Sequence, residues 1–163
     1  MNLLQEALRL DICKDYLKAI EIYELINEGV NAPIESFTNL SFIYWEFAAE
    51  FAFRDENNIS KKWAEIGGKR YVSVLEKGLS KYPYSLELHF WYRYFPHRLY
   101  FDDFSKDECM ELIKKFGNNE SVVPYFYLYL FDREKFKNKR DILLIECEQK
   151  PTAKNNYIRS IIE

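Results

Sequence analysis

The chain has 163 residues, the length of one ordinary domain. Apolar residues make up 48% of it and charged residues 30%, and there are five Gly and five Pro. This composition is typical of soluble globular proteins and excludes collagen-like, linker-like and turn-rich all-β chains. The net charge of −3 lacks the basic surplus of a general nucleic-acid binder.

Helical periodicity runs through the first half of the chain. Apolar stripes at helical spacing predict one helix over 3–12 and a second over 16–26, which Gly29 ends. Pro33 suits the first turn of a third helix that runs to about Arg54. A fourth helical stretch covers 60–81, where Gly67 and Gly68 predict a bend or a break.

The second half is predicted to be helical as well. A short aromatic helix covers 86–95 and stops at Pro96, and an irregular link follows over 97–104. Ser105 and Glu108 resemble a capping box that opens a helix to about Phe116. A turn at 117–119 precedes segment 120–131, which we interpret as helix because no partner strand is evident. Helices over 141–148 and 152–162 complete a set of eight or nine in a single all-α domain over 1–163.

Two segments share the spacing of a repeat motif. Asp15-Tyr16-x2-Ala19-x3-Tyr23 has a small residue four positions before an aromatic one, and Phe37-x2-Leu40-Ser41-x2-Tyr44 follows it. Together these segments resemble a tetratricopeptide (TPR) repeat, well over 2–54 and in degenerate form over 58–163. The resemblance implies a right-handed superhelix of helical hairpins, in which the first helix of each unit lines a concave groove. It would place Thr38, Phe42, Trp45 and Glu46 on that groove.

The third predicted helix is apolar nearly all round, which indicates a central position. Only a narrow polar strip remains on it: Glu35, Asn39, Glu46 and Glu50. Glu46 and Glu50 are like charges one turn apart, so either an internal Lys or Arg or a basic partner should compensate them.

Aromatic residues make up 18% of the chain and crowd two segments, 82–104 and 125–131. For 89–104 a core role and a binding face are equally supported, whereas for 122–131 we expect a core role. The predicted partner-binding residues are Glu35, Thr38, Phe42, Trp45 and Glu46 on the third helix, and Trp91, Tyr92, Tyr100, Asp102 and Asp103 in the aromatic segment.

Motifs for catalysis or metal binding are missing from the sequence. His89 and His97 have no metal-binding spacing, and the three cysteines are far apart without a CxxC pair. We therefore expect reduced thiols, no metal and no cofactor. The N-terminus lacks a signal-peptide pattern and no apolar run could span a bilayer, so we expect a cytoplasmic protein without membrane contact. The basic residues of 133–140 are diluted by acidic neighbours and are interpreted as a solvated surface.

These observations favour a non-enzymatic protein-binding module. The more specific hypothesis is a bacterial immunity or antitoxin protein that covers a basic toxin with an acidic, aromatic face. Two alternatives remain open. One is a small helical enzyme that uses Glu46 and Glu50 in an acidic pocket, and the other is a helical-repeat RNA binder, against which the net charge argues.

Overall fold

A computed structural model describes residues 2–117 and 121–163 of the chain. Every regular element in this described part is an α-helix, and there are ten rather than eight or nine: α1 Leu3–Ile12, α2 Tyr16–Asn27, α3 Ile34–Ala49, α4 Phe51–Glu56, α5 Lys62–Lys81, α6 Leu86–Tyr100, α7 Lys106–Phe116, α8 Tyr125–Tyr129, α9 Lys137–Gln149 and α10 Ala153–Ile162. The all-helical class is confirmed. The described residues do not include Glu120 or positions 118 and 119 of the predicted 117–119 turn.

The chain divides into two compact units, Met1–Pro83 and Tyr84–Glu163. In the first unit, α1 packs on α2, and α3 packs on both α2 and α5, with the α3–α5 contact the most extensive. The small residues of the repeat motif, Ala19 and Ser41, are buried as their spacing predicts. The larger motif residues are buried around them: Tyr23, Phe37, Leu40 and Tyr44.

Tyr44 joins three helices of this unit. Its hydroxyl donates to the Glu24 carboxylate of α2 over 2.6 Å and accepts from Arg70 Nη1 of α5 over 3.2 Å. Close approach of α3 and α5 needs Gly67, since its backbone lies against the Tyr44 carbonyl. The predicted break at Gly67 and Gly68 was wrong, because α5 is continuous from Lys62 to Lys81. The alternative of a bend there stays a prediction.

Two predicted helix ends also differ from the structure. The third helix ends at Ala49, because Glu50 is extended (φ −122°, ψ 102°) and α4 begins after it. Helix α6 continues through Pro96 to Tyr100. Pro96 has no N–H to donate to the carbonyl group of Tyr92, four residues earlier in the helix. Because Tyr92 is exposed, solvent is close to the carbonyl group that proline leaves free.

The second unit has an aromatic core. Rings from α6 and α8 pack at centroid distances near 5 Å, among them Phe90 on Phe126 (5.5 Å) and Tyr94 on Phe126 (5.2 Å). The Glu87 carboxylate lies under this cluster and accepts from Trp91 Nε1 (3.1 Å) and Lys154 Nζ (2.6 Å), which ties α6 to α10. Within segment 122–131 only 125–129 is helical, as α8, and Phe126, Tyr127 and Leu128 are core residues as predicted. Leu130 and Phe131 are half exposed, so the core role expected for the whole segment does not extend to its end.

Candidate binding surfaces

Four of the predicted binding residues are interior residues of α3. Thr38, Phe42 and Trp45 are essentially inaccessible and Glu46 is 4% exposed, while Glu35 is half-buried. We expected these residues to face an open groove, but the structure buries them. The reason is that a helix that is apolar on nearly every side is covered on nearly every side. Their role in partner binding stays a prediction.

Glu46 is a buried carboxyl group. Burial, and to a lesser degree the charge of Glu50, raises the pKa of Glu46 to about 8. Within residues 2–117 and 121–163, no Lys or Arg forms an ion pair with it. The internal cation that the sequence suggested as compensation is therefore not found in the described part. The raised pKa means instead that burial favours the uncharged form of this carboxyl group.

A buried polar chain links α1, α2 and α3 near this carboxyl group. The Tyr23 hydroxyl donates to Asp11 Oδ2 over 3.0 Å and accepts from Asn39 Nδ2 over 3.1 Å. Asp11 is almost fully buried, and burial together with Asp11 raises the pKa of Tyr23. Sequence analysis missed Asp11 because it follows an ordinary amphipathic stripe; only the buried Tyr23 opposite gives it a partner. These two hydrogen bonds tie the three helices together, while the Asn39 Oδ1 atom is buried without a hydrogen-bond partner in the described part of the chain.

The predicted residues of the second unit divide between core and surface. Trp91 is fully buried, so it is a core residue. Tyr92, Tyr100, Asp102 and Asp103 are exposed. Phe101, between them, is 89% exposed and adopts the left-handed backbone conformation (φ 61°, ψ 26°), which is uncommon outside glycine. We call residues 100–103 the acidic–aromatic turn.

The acidic–aromatic turn is held from both sides. His97 Nδ1 lies 2.7 Å from the backbone oxygen of Asp102, and Arg93 Nη2 donates to the backbone oxygen of Asp103 over 2.6 Å. The same Arg93 nitrogen forms an ion pair with Glu108 of α7 over 2.9 Å. The Ser105 hydroxyl caps α7 by accepting from the Glu108 N–H, which is one half of the predicted capping box. The Glu108 carboxylate pairs with Arg93 instead of completing the box.

Phe104 anchors the end of this turn in the core. It stacks parallel on Tyr127 at a centroid distance of 5.1 Å, and the Tyr127 hydroxyl donates to its backbone oxygen. The two carboxylates and the Phe101 ring are thus presented to solvent from a fixed backbone. Phe101 itself was not predicted as a binding residue, and its exposure has no signal in the sequence.

The cysteines and histidines of the described residues were the remaining candidates for reactive or metal-binding groups. Cys109 and Cys147 are buried, and burial raises the pKa of their thiols to about 12 and about 11, while Cys13 is exposed. His89 stacks on Phe116 at a ring-centroid distance of 4.1 Å.

Over residues 2–117 and 121–163, no group of three or more His, Cys, Asp or Glu side chains is arranged to hold a metal ion. In the same residues, none of the helices combines the length and hydropathy needed to cross a bilayer.

No protein family, curated protein or solved structure matches the chain.

Proposed function

We propose that the chain is a protein-binding module and that its partner is a basic protein, which the acidic–aromatic turn contacts. The observation that carries this proposal is the exposure of Phe101 directly beside Asp102 and Asp103. Aromatic side chains are favoured at the energetic centre of protein interfaces. Two neighbouring carboxylates complement a positive surface and speed encounter with it.

The fixed backbone of the turn supports the same proposal. Arg93 and His97 hold its carbonyl groups, and Phe104 is packed in the core, so little conformational freedom is left to lose on binding. The left-handed conformation of Phe101 costs about 1–3 kcal/mol. Strain of this kind clusters at functional positions, where surrounding contacts maintain it.

The particular form that we propose is a bacterial immunity or antitoxin protein that covers its cognate toxin. Nuclease toxins are often basic because they bind nucleic acid, and an acidic, aromatic face complements such a surface. The architecture that we propose for this binder is the right-handed, TPR-like stack of helical hairpins suggested by the motif of the first unit.

Affinity capture with matched variants tests this proposal. Tagged wild type, Phe101→Ala and the double variant Asp102→Asn/Asp103→Asn are incubated with native lysate, and retained proteins are identified by mass spectrometry. The exposed residues Tyr84, Asp55 and Glu56 supply controls: Tyr84→Ala and Asp55→Asn/Glu56→Gln change the same chemistry elsewhere. We expect one stoichiometric basic protein that both turn variants bind at least about tenfold more weakly and both controls bind normally.

The next step uses the purified partner. If it is a toxin, its activity should fall to background at a one-to-one ratio with this chain, and Phe101→Ala should restore it. A partner that the turn variants retain as well as wild type contradicts the assignment of the turn. Retention of RNA alone, or of nothing, contradicts the protein-binding function.

A small helical enzyme that uses Glu46 is the second candidate that we propose: burial raises the pKa of Glu46 to about 8, but the residue is only 4% exposed, so a substrate would need an opening to reach it. A carboxyl group that titrates near neutrality is suited to general acid–base catalysis. Loss of a measured activity in Glu46→Gln, with unchanged folding and unchanged capture of a protein partner, would favour this candidate over the first.

A further inference from the structure

The second unit carries a basic surface that the proposed function does not use. Residues 132–140 contain five basic and two acidic side chains, a local charge of +3 in a chain whose net charge is −3. Arg133, Lys135, Lys137 and Lys139 are exposed and Arg140 is half-buried. Two half-buried rings of α8 lie beside them, Tyr125 and Tyr129. We call these seven residues the basic–aromatic surface.

The cations of this surface are placed over its rings. Lys139 Nζ lies 5.2 Å from the centroid of the Tyr125 ring. The guanidinium carbons of Arg133 and Arg140 lie 5.8 and 5.9 Å from the centroid of the Tyr129 ring. Arg140 is also fixed by a 2.7 Å hydrogen bond from its Nε to the backbone oxygen of Ile162 and by a 3.0 Å ion pair with Asp141. The cations therefore stack on the tyrosine rings in a partly fixed arrangement.

Helix α9 begins inside this surface. No side chain caps its first turn, and that turn contains Lys137 and Lys139 but no acidic residue. The positive end of the helix dipole thus adds to the charge of the two lysines, and together they favour an anion. Phosphate groups have this charge, and successive phosphates can contact different exposed cations among Arg133, Lys135, Lys137 and Lys139.

We propose that the basic–aromatic surface binds single-stranded nucleic acid, through its phosphates and through stacking of bases on the guanidinium planes that the tyrosine rings support. Acidic peptides would also be attracted by the charge, but carboxylates do not stack on guanidinium planes, whereas bases do. The acidic remainder of the chain repels nucleic acid, so we expect micromolar affinity that depends steeply on salt. This binding is independent of the acidic–aromatic turn and of any protein partner.

The proposal is tested by fluorescence anisotropy. A labelled oligouridine of about 15 nucleotides is titrated with the full chain in about 50 mM NaCl. The test variant is Lys137→Gln/Lys139→Gln. The control is Lys114→Gln/Lys115→Gln on α7, which removes the same charge from two exposed lysines. It also matches the ring contacts of the test site, because Lys115 Nζ lies 5.1 Å from the centroid of the Phe116 ring. Circular dichroism verifies that both variants fold.

We expect the test variant to raise Kd about tenfold and to reduce the slope of log K against log salt by about 1.4, the value for two lost phosphate contacts. The control should change neither value. Absence of binding at tens of micromolar protein, or equal losses in the two variants, would overturn the proposal. If polyglutamate competes as strongly as unlabelled oligouridine, the nucleic-acid proposal is overturned and the ligand is an acidic polypeptide.

Discussion

The backbone of Gly67 in α5 lies directly against the carbonyl group of Tyr44 in α3. A Cβ atom on Gly67 would stand 2.2 Å from the Tyr44 oxygen and 3.1 Å from Phe47 Cβ, so no larger residue fits without separation of the helices. The adjacent Gly68 has room, because its Cβ would meet only Ala48 Cβ at 3.7 Å. Two neighbouring glycines of one helix thus have different roles.

Gly67→Ala should therefore destabilise the protein by about 1–3 kcal/mol or more, since the overlap must be relieved by a shift of packed backbone. Gly68→Ala should be neutral or stabilise by up to about 1 kcal/mol, because Ala favours the helix. Urea denaturation of both variants measures the difference. Equal stabilities of the two variants would contradict the close α3–α5 contact.

Glu46 should make stability depend on pH. Its pKa is raised from an unfolded value of 4.5 to about 8 in the folded protein, so the folded state binds the proton more tightly. The stabilisation is fully present below pH 4.5 and is lost as pH rises towards 8, by up to about 1.4 kcal/mol per pH unit.

Glu46→Gln should remove this dependence, and the variant should be more stable than wild type near pH 8. Urea midpoints between pH 5 and 8.5 measure it as the difference between variant and wild type, which cancels the other titrating groups. Glu50→Gln, at an exposed position, is the control and should retain most of the slope. A constant difference between wild type and Glu46→Gln across this range would contradict the raised pKa.

Phe101 should show opposite effects on stability and on binding. Phe101→Gly relieves the left-handed backbone and should stabilise the protein by about 0.5–1 kcal/mol. Phe101→Ala keeps the strained conformation and should leave stability nearly unchanged. Thermal unfolding compares the two, and both should bind the proposed protein partner equally weakly because both lack the ring. Weaker binding of only one of them would show that backbone conformation, not the ring, determines recognition.

Periodicity in the sequence was sufficient to predict an all-helical chain and most helix positions. The stripes of α1 and α2 and the N-cap at Ser105 depend on local spacing and local hydrogen bonds, which a sequence contains directly. The helix within 120–131 was inferred differently, from the lack of a partner strand elsewhere in the sequence. The separation of α4 from α3 was not predictable, because Glu50 ends the helix without Gly or Pro.

The candidate sites were predicted less well, since exposure is a property of packing between distant residues. Helical spacing alone placed Trp91 and Tyr92 in one binding segment, whereas the structure buries the first and exposes the second. It placed Glu46 on a polar strip with a Lys, an Arg or a basic partner to compensate its charge, but it did not predict that the carboxyl group is buried without an ion pair in the described residues. The role of Gly67 also differed, because a glycine read locally suggests a bend.

The sequence by itself determined the helical class, the aromatic composition and the local charge of 133–140, all of which depend on residues close together in the chain. Only the tertiary structure decided which aromatic rings are core and which face solvent, that Arg93 and His97 hold the turn at Phe101, and that Gly67 forms a contact between helices. The ring packing and the Gly67 contact depend on residues brought together from different helices, and the bonds that hold the turn join residues 5 and 10 positions apart across the end of α6. No local pattern of residues encodes such distances.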